Sequence, residues 1–74
     1  MARLTVPQEV REWAAEWAAE YRQQPNRARR MLMGGLAVLD SFIADPRHVP
    51  AKPRTVRQCR NIVARTMATH GIIV

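Results

Sequence analysis

The chain has 74 residues, which is enough for one domain with a single small hydrophobic core. Its only cysteine excludes an internal disulfide, and no apolar stretch approaches the roughly 18 residues needed to cross a bilayer. The formal net charge of +6 favours an acidic partner. Because the N-terminus also lacks the apolar segment of a signal peptide, we expect one cytoplasmic domain over residues 1–74, with no membrane partner.

The basic residues are almost all arginine, and they are distributed unevenly. Residues 1–20 contain four glutamates and two arginines, a net charge of −2. Residues 21–74 contain nine arginines and one lysine against two aspartates, a net charge of +8. Arginine offers a planar fork of donors that matches phosphate oxygens. GC-rich codon usage would explain the preference for arginine, but not its excess or its asymmetry, so the composition favours a nucleic-acid ligand.

The first predicted helix covers about residues 7–24. Thr5 and Gln8 have capping-box spacing, and Pro7 loses no needed donor in the first turn. Apolar residues follow at helical spacing and predict the buried face: Val10, Trp13, Ala14, Trp17, Ala18 and Tyr21. We interpret the two tryptophans as core residues, with stacking on nucleobases as the alternative.

The second predicted helix covers about residues 27–44, with Asn26 as its N-cap and Asp45-Pro46 after its end. The predicted buried face consists of Ala28, Met31, Leu32, Gly35, Leu36, Leu39, Phe42 and Ile43.

The apolar arc of this helix is wide, because Met33 and Val38 extend it. We therefore expect the second helix to be the central one of the bundle. Gly34 and Gly35 each weaken a helix by about 1 kcal/mol relative to alanine. They lack the strand-to-helix context of a phosphate loop, and we interpret them as a point where a neighbouring backbone approaches closely.

The third predicted helix covers about residues 54–70, with Gly71 as its C-cap and His70 as a capping residue near its end. The predicted inward residues are Val56, Cys59, Ile62, Val63 and Met67. The opposite face is cationic and spans about 80° of arc, with Arg60 at its flank; it consists of Arg54, Arg57, Asn61 and Arg65. No acid lies three or four residues away within the helix to relieve this charge.

Two predicted helices begin with the charge that a helix N-terminus disfavours. Acids are preferred there by about 0.3–1 kcal/mol per group, yet both helices begin with basic residues. Because unpaired backbone N–H groups also bind phosphate, we predict that these helix starts and the cationic arc grip a phosphate backbone. If the side chains simply extend into water, the cost is small. The predicted nucleic-acid-binding residues are Arg27, Arg29, Arg30, Arg47, Lys52, Arg54, Arg57, Arg60 and Arg65.

Catalytic and metal chemistry are not indicated. His48, His70 and Cys59 are too few and too scattered for a metal site. No nucleophile has a base and an orienting partner beside it, so we expect no enzyme activity, cofactor or small-molecule substrate. The corner over residues 45–53 is too long for the turn of a helix-turn-helix, which favours backbone and shape recognition over reading of the major groove.

Three segments resemble the archaeal uncharacterised protein family 0147, a family of short all-helical proteins. TVPQEVREWA (5–14), AVLDSFIADP (37–46) and HVPAKPRT (48–55) are similar to its TVP…R…A opening, its LDE(I)…DP helix end and its (I/V)P…RT segment. The resemblance spans about residues 5–67 and implies a helical bundle and an archaeal source. It implies no functional residues, because the role of the family is not established. This chain departs from the family in its basic charge, and we expect it to lack the helix that the family has before the TVP segment.

The predicted fold class is therefore all-α, a small three-helix bundle with a proline-rich corner between helices 2 and 3. The predicted function is RNA binding in a small ribosomal or ribosome-associated protein, whose arginines contact rRNA phosphates beside ribosomal proteins. The alternatives are a DNA-binding or chromatin-associated protein and a helical subunit that completes a partner's bundle. Ile72, Ile73 and Val74 can either contact a partner or pack back on the bundle.

Overall fold

A computed structural model describes residues 6–49 and 51–72, which form three α-helices and one short 3-10 helix. The helices are α1 (Val6–Glu20), α2 (Pro25–Ala44) and α3 (Pro53–Thr69), and the 3-10 helix (Pro46–His48) lies between α2 and α3. Each α-helix contacts the other two, and the described residues contain no strand. The predicted all-α three-helix bundle with a proline-rich corner is confirmed.

The helix α2 runs antiparallel to both α1 and α3. At its start, Arg27 lies over the ring of Trp17, which is near the end of α1. Near its other end, Phe42 lines one groove together with Val6 at the start of α1 and Val56 at the start of α3. The helices α1 and α3 therefore run side by side in the same direction, and the starts of α2 and α3 lie at opposite ends of the bundle.

The core is centred on α3, not on α2 as predicted. The buried core residues are Ala14, Ala18, Ala28, Leu32, Leu36, Val56, Cys59, Val63, Met67 and Ile72, of which α3 supplies more than either other helix. The apolar arc of α2 is wider than two partner helices can cover. As a result Met31, Val38 and Phe42 are 41%, 51% and 37% exposed, so the prediction that Met31 and Phe42 are buried is wrong.

The predicted faces of α1 and α3 are confirmed. Ala14 and Ala18 are buried, and the larger apolar residues of the predicted face are half-buried against the core: Val10, Trp13 and Trp17 on α1, and Tyr21 directly after its end. On α3 the predicted inward residues are buried, with Ile62 half-buried at the edge.

Pro25 sets both the end of α1 and the start of α2. Because the residue before a proline disfavours the helical conformation, Gln24 adopts φ −133° and ψ 70° and interrupts the helix. The helix α1 therefore ends at Glu20, before the predicted end at residue 24. Proline has a φ suited to the first helical position, so α2 begins at Pro25 and the predicted cap at Asn26 is wrong. Thr5, the predicted cap of α1, lies outside the described residues.

The end of α3 turns the chain back onto the bundle. Gly71 has φ +68°, a left-handed conformation that glycine adopts without strain. The amide of Ile72 donates to the carbonyl of Met67 at 2.8 Å, and the amide of Gly71 donates to that of Ala68 at 3.2 Å. This pair of bonds forms a Schellman motif and buries Ile72 in the core. Of the two predicted roles of the C-terminal residues, Ile72 has the packing role, and Ile73 and Val74 lie outside the described residues.

Gly35 packs against a side chain, not against a neighbouring backbone as predicted. A Cβ at this position would lie 2.6 Å from Cη2 of the Trp13 ring, which is closer than carbon atoms approach without displacement. Gly34 differs, because a Cβ there would have no atom within 4 Å. The prediction that the glycines allow close packing is therefore confirmed at Gly35, where the neighbour is the Trp13 ring, and is wrong at Gly34.

We expect opposite outcomes from the two glycine-to-alanine substitutions. Gly34→Ala gains helix propensity and should raise the free energy of unfolding by about 1 kcal/mol. Gly35→Ala gains the same propensity but must displace the Trp13 ring, so it should be about 1–3 kcal/mol less stable than Gly34→Ala. Urea unfolding at low protein concentration, where association does not contribute, measures both. Equal stability of the two variants would contradict the contact between Gly35 and Trp13.

Candidate nucleic-acid interface

A groove of about 600 Å³ lies between α1 and α3. Its lining is mainly cationic and contains no acid: Arg11, Arg54, Arg57, Gln58, Asn61, Ile62 and Arg65. We call this surface the arginine groove. It combines four guanidinium groups with two carboxamides, and both kinds of group donate hydrogen bonds to oxygen acceptors.

The side of the groove formed by α3 is the predicted cationic arc. Arg54, Arg57 and Arg65 are separated by three and eight residues, which places them on one face of the helix. All three are exposed, and the opposite face of α3 is buried in the core. Burial of the apolar face therefore fixes the direction in which the arginines project.

Arg11 belongs to the same groove but was not among the predicted binding residues. Arg11 lies in the acidic first segment of the chain. On α1 it is on the same side of the helix as Ala14 and Ala18, which come three and seven residues later. Those alanines are buried, and small side chains at a contact let two helices approach closely. The signal that could have located Arg11 is its position beside this alanine stripe.

No carboxylate in residues 6–49 or 51–72 lies within 4.0 Å of a guanidinium nitrogen of Arg11, Arg54, Arg57 or Arg65. Like charges that converge on one groove repel each other, and a bound anion relieves that repulsion. The groove is therefore electrostatically suited to a polyanion with regularly spaced charges.

Two other predicted binding residues pair with aspartates of the chain itself. Nε of Arg60 lies 3.0 Å from Oδ1 of Asp40 on α2, so Arg60 is directed away from the arginine groove. Nε of Arg47 lies 3.1 Å from Oδ1 of Asp45 in the corner. Both pairs are exposed, and such pairs contribute roughly 0–1 kcal/mol to stability.

The basic residues at the start of α2 lie away from the arginine groove. A helix of 20 residues is about 30 Å long, so Arg27, Arg29 and Arg30 are separated from Lys52 and the start of α3 by the length of the bundle. The starts of α2 and α3 were both predicted to bind a phosphate backbone, and of the two only the start of α3 adjoins the groove.

The two tryptophans are both packed within the bundle. The ring of Trp13 contacts Gly35, and the ring of Trp17 is covered by the guanidinium of Arg27, whose Cζ lies 5.6 Å from the ring centroid. This distance is within the range of a cation–π contact. Both rings are half-buried against the core, as the core interpretation requires.

Metal-binding clusters and membrane-spanning helices are absent from the part of the chain that the structure describes. Within it, no group of three His, Cys, Asp or Glu side chains is placed to hold a metal ion. Nδ1 of His70 lies 2.9 Å from the carbonyl oxygen of Thr66, in keeping with the predicted capping role. None of the described helices has the length and apolar composition to cross a bilayer.

Comparison with protein-family models, with curated proteins and with solved structures gives no match. The resemblance to the archaeal uncharacterised protein family 0147 stays a prediction.

We expect Cys59 to be unreactive in the folded chain. It is 1% exposed, and burial raises the pKa of its thiol above the ordinary value of 9.0 because the thiolate loses its solvation. At pH 8 a thiolate-specific disulfide reagent should react at least about tenfold more slowly with the folded chain than with the urea-unfolded chain. Because the folded chain holds the thiol proton more tightly than the unfolded chain, the stabilising contribution of Cys59 is fully present below pH 9.0 and is lost as the pH rises through the raised pKa. Equal labelling rates for the two states would contradict the burial of Cys59.

Proposed function

We propose that this protein binds RNA and that the arginine groove contacts the phosphate backbone. The observation that carries the proposal is the convergence of four arginines, from two helices, with no carboxylate of the described residues beside them. Arginine binds phosphate oxygens through two parallel hydrogen bonds. The groove thus supplies a row of phosphate ligands on a rigid frame.

The length of the groove matches a run of several phosphates. Arg54 and Arg65 are separated by 11 residues of α3, or about 16 Å along the helix axis. Arg57 lies between them, and Arg11 approaches from α1. A backbone that follows α3 can therefore contact these arginines in succession.

The carboxamides in the groove favour RNA over DNA. Gln58 and Asn61 lie among the arginines, and a carboxamide both donates and accepts hydrogen bonds. The wide minor groove of an A-form duplex displays 2′-hydroxyl groups, which also donate and accept, whereas DNA has none. In this proposal the arginines hold the phosphates, and the carboxamides contact ribose.

We further propose that the RNA is ribosomal and that the chain acts in the cytoplasm as a small ribosomal or ribosome-associated protein. The role is one of binding, without catalysis or a cofactor. Density-gradient sedimentation of a lysate tests this assignment. Co-migration with ribosomal subunits that is lost at high salt supports it. Migration with DNA would support the chromatin alternative instead.

Removing single arginines from the groove should weaken RNA binding in a salt-dependent way. Arg57→Ala and Arg65→Ala should each lower the affinity for an rRNA duplex by about five- to tenfold, and each should reduce the slope of log K against log salt by nearly one. Fluorescence anisotropy over a series of KCl concentrations, with an RNA duplex and a DNA duplex of the same sequence, measures both effects.

Arg60→Ala is the matched control. It removes the same charge from the same helix, but Arg60 pairs with Asp40 and does not line the groove. Its affinity should stay within about twofold of the unmodified protein. If all three variants weaken binding equally, the net charge of the protein alone determines the affinity and the groove is not the binding site. Equal binding of both duplexes would contradict the preference for RNA.

A further inference from the structure

An apolar stripe on α2 is left uncovered by the other two helices. It consists of Met31, Gly34, Val38 and Phe42, whose spacing of three and four residues places them on one face of the helix. The three larger side chains are exposed. Met31 and Val38 line a groove together with Val10, Trp13 and Arg30, and Phe42 lines a neighbouring groove. A contiguous exposed apolar surface of this kind marks an interaction site.

We propose that this stripe, Met31 to Phe42, is the contact between two copies of the chain. The two α2 helices pack antiparallel about a two-fold axis at the level of residue 36, on the exposed side of α2 opposite the buried Leu36 side chain. In such an arrangement each residue faces the residue at an equal distance on the other side of position 36, so every contact forms twice.

The centre of the stripe is complementary to itself in this arrangement, and farther out Phe42 would face Arg30 and Met31 would face Ser41. Gly34 would face Val38 of the second copy, and Val38 would face its Gly34. The space above Gly34 is open, since a Cβ there would have no atom within 4 Å. Val38 is one turn away and projects from the surface. The isopropyl group of each Val38 would thus lie over the Gly34 of the other copy, which has no side chain, on both sides of the axis.

The charges at the two ends of the stripe favour the same arrangement. Arg27 lies in the first turn of α2 and Asp45 directly follows its last residue, 18 residues or about five helical turns later, so both lie on the side of the stripe. The guanidinium of Arg27 also lies over the Trp17 ring. An antiparallel copy brings Arg27 opposite its Asp45, and a parallel copy would bring arginine opposite arginine. Arg47 contacts only Oδ1 of Asp45, which leaves the second carboxylate oxygen as an acceptor. This complementarity identifies a second copy as the occupant.

The contact is separate from the arginine groove. No residue that lines the groove over α2 also lines the groove between α1 and α3. The inference therefore does not depend on RNA binding, and it is tested on nuclease-treated protein without RNA.

Analytical ultracentrifugation of the full chain, over about 1–200 μM, tests the proposal through the concentration dependence of the mass. We expect the mass to rise from that of one chain, 8.5 kDa, to twice that value.

Val38→Glu places a charge at the centre of the contact and should weaken association by at least about a hundredfold. Ala37→Glu is the matched control, since Ala37 is exposed on the same helix but about 100° away, and it should associate normally. Circular dichroism checks that both variants are folded.

A charge exchange tests the antiparallel register. Arg27→Glu and Asp45→Arg should each weaken the dimer by about tenfold, and the double variant should restore the dimer because the pair is reversed. The proposal is overturned if the unmodified chain stays monomeric over the whole range, if Val38→Glu associates normally, or if the double variant is no better than the single ones.

Discussion

The close contact between α1 and α3 determines both surfaces of this protein. Ala14 and Ala18 are buried in the same core cluster as Val63 and Met67 of α3. Because the alanines are small, α1 can lie close to α3, and Arg11 joins the arginines of α3 in one groove. Because α1 and α3 pack against each other, both of them contact α2 on the same side. The rest of the wide apolar arc of α2 is therefore exposed.

The same contact limits how much apolar surface the chain buries. A buried alanine removes far less area from water than a leucine, and burial stabilises by about 25 cal/mol per Å². The described core has three alanines among its buried residues, and the molecule measures only 17 Å along its shortest axis. In a chain of this size, association is a common way to bury additional surface. The proposed contact through α2 would cover Met31, Val38 and Phe42, three of the four large apolar side chains that are exposed among the described residues.

Periodicity predicted the helices and most of their faces, because a helix places residues three and four apart on one side whatever it packs against. It did not predict which helix is central, since this depends on how closely the partners approach. Arg11 was missed for that reason: its role depends on α3, which is distant in sequence. The contact between Trp13 and Gly35 is likewise non-local. The start of α2 was misplaced by one local rule, because Pro25 had a stronger effect than the capping preference of Asn26.

The many arginines of this chain occupy several different environments in the fold. Arg60 and Arg47 are paired with aspartates, and Arg27 lies over Trp17. Four arginines meet in the groove between α1 and α3, whose lining contains no acid. In our proposals the groove binds phosphate, and Arg27 contacts the acidic end of a second α2. A two-fold dimer would then present two identical grooves, and a folded RNA that reaches both would bind more tightly than one groove allows. Disrupting the α2 contact would reduce the affinity for such an RNA without altering any residue that touches it.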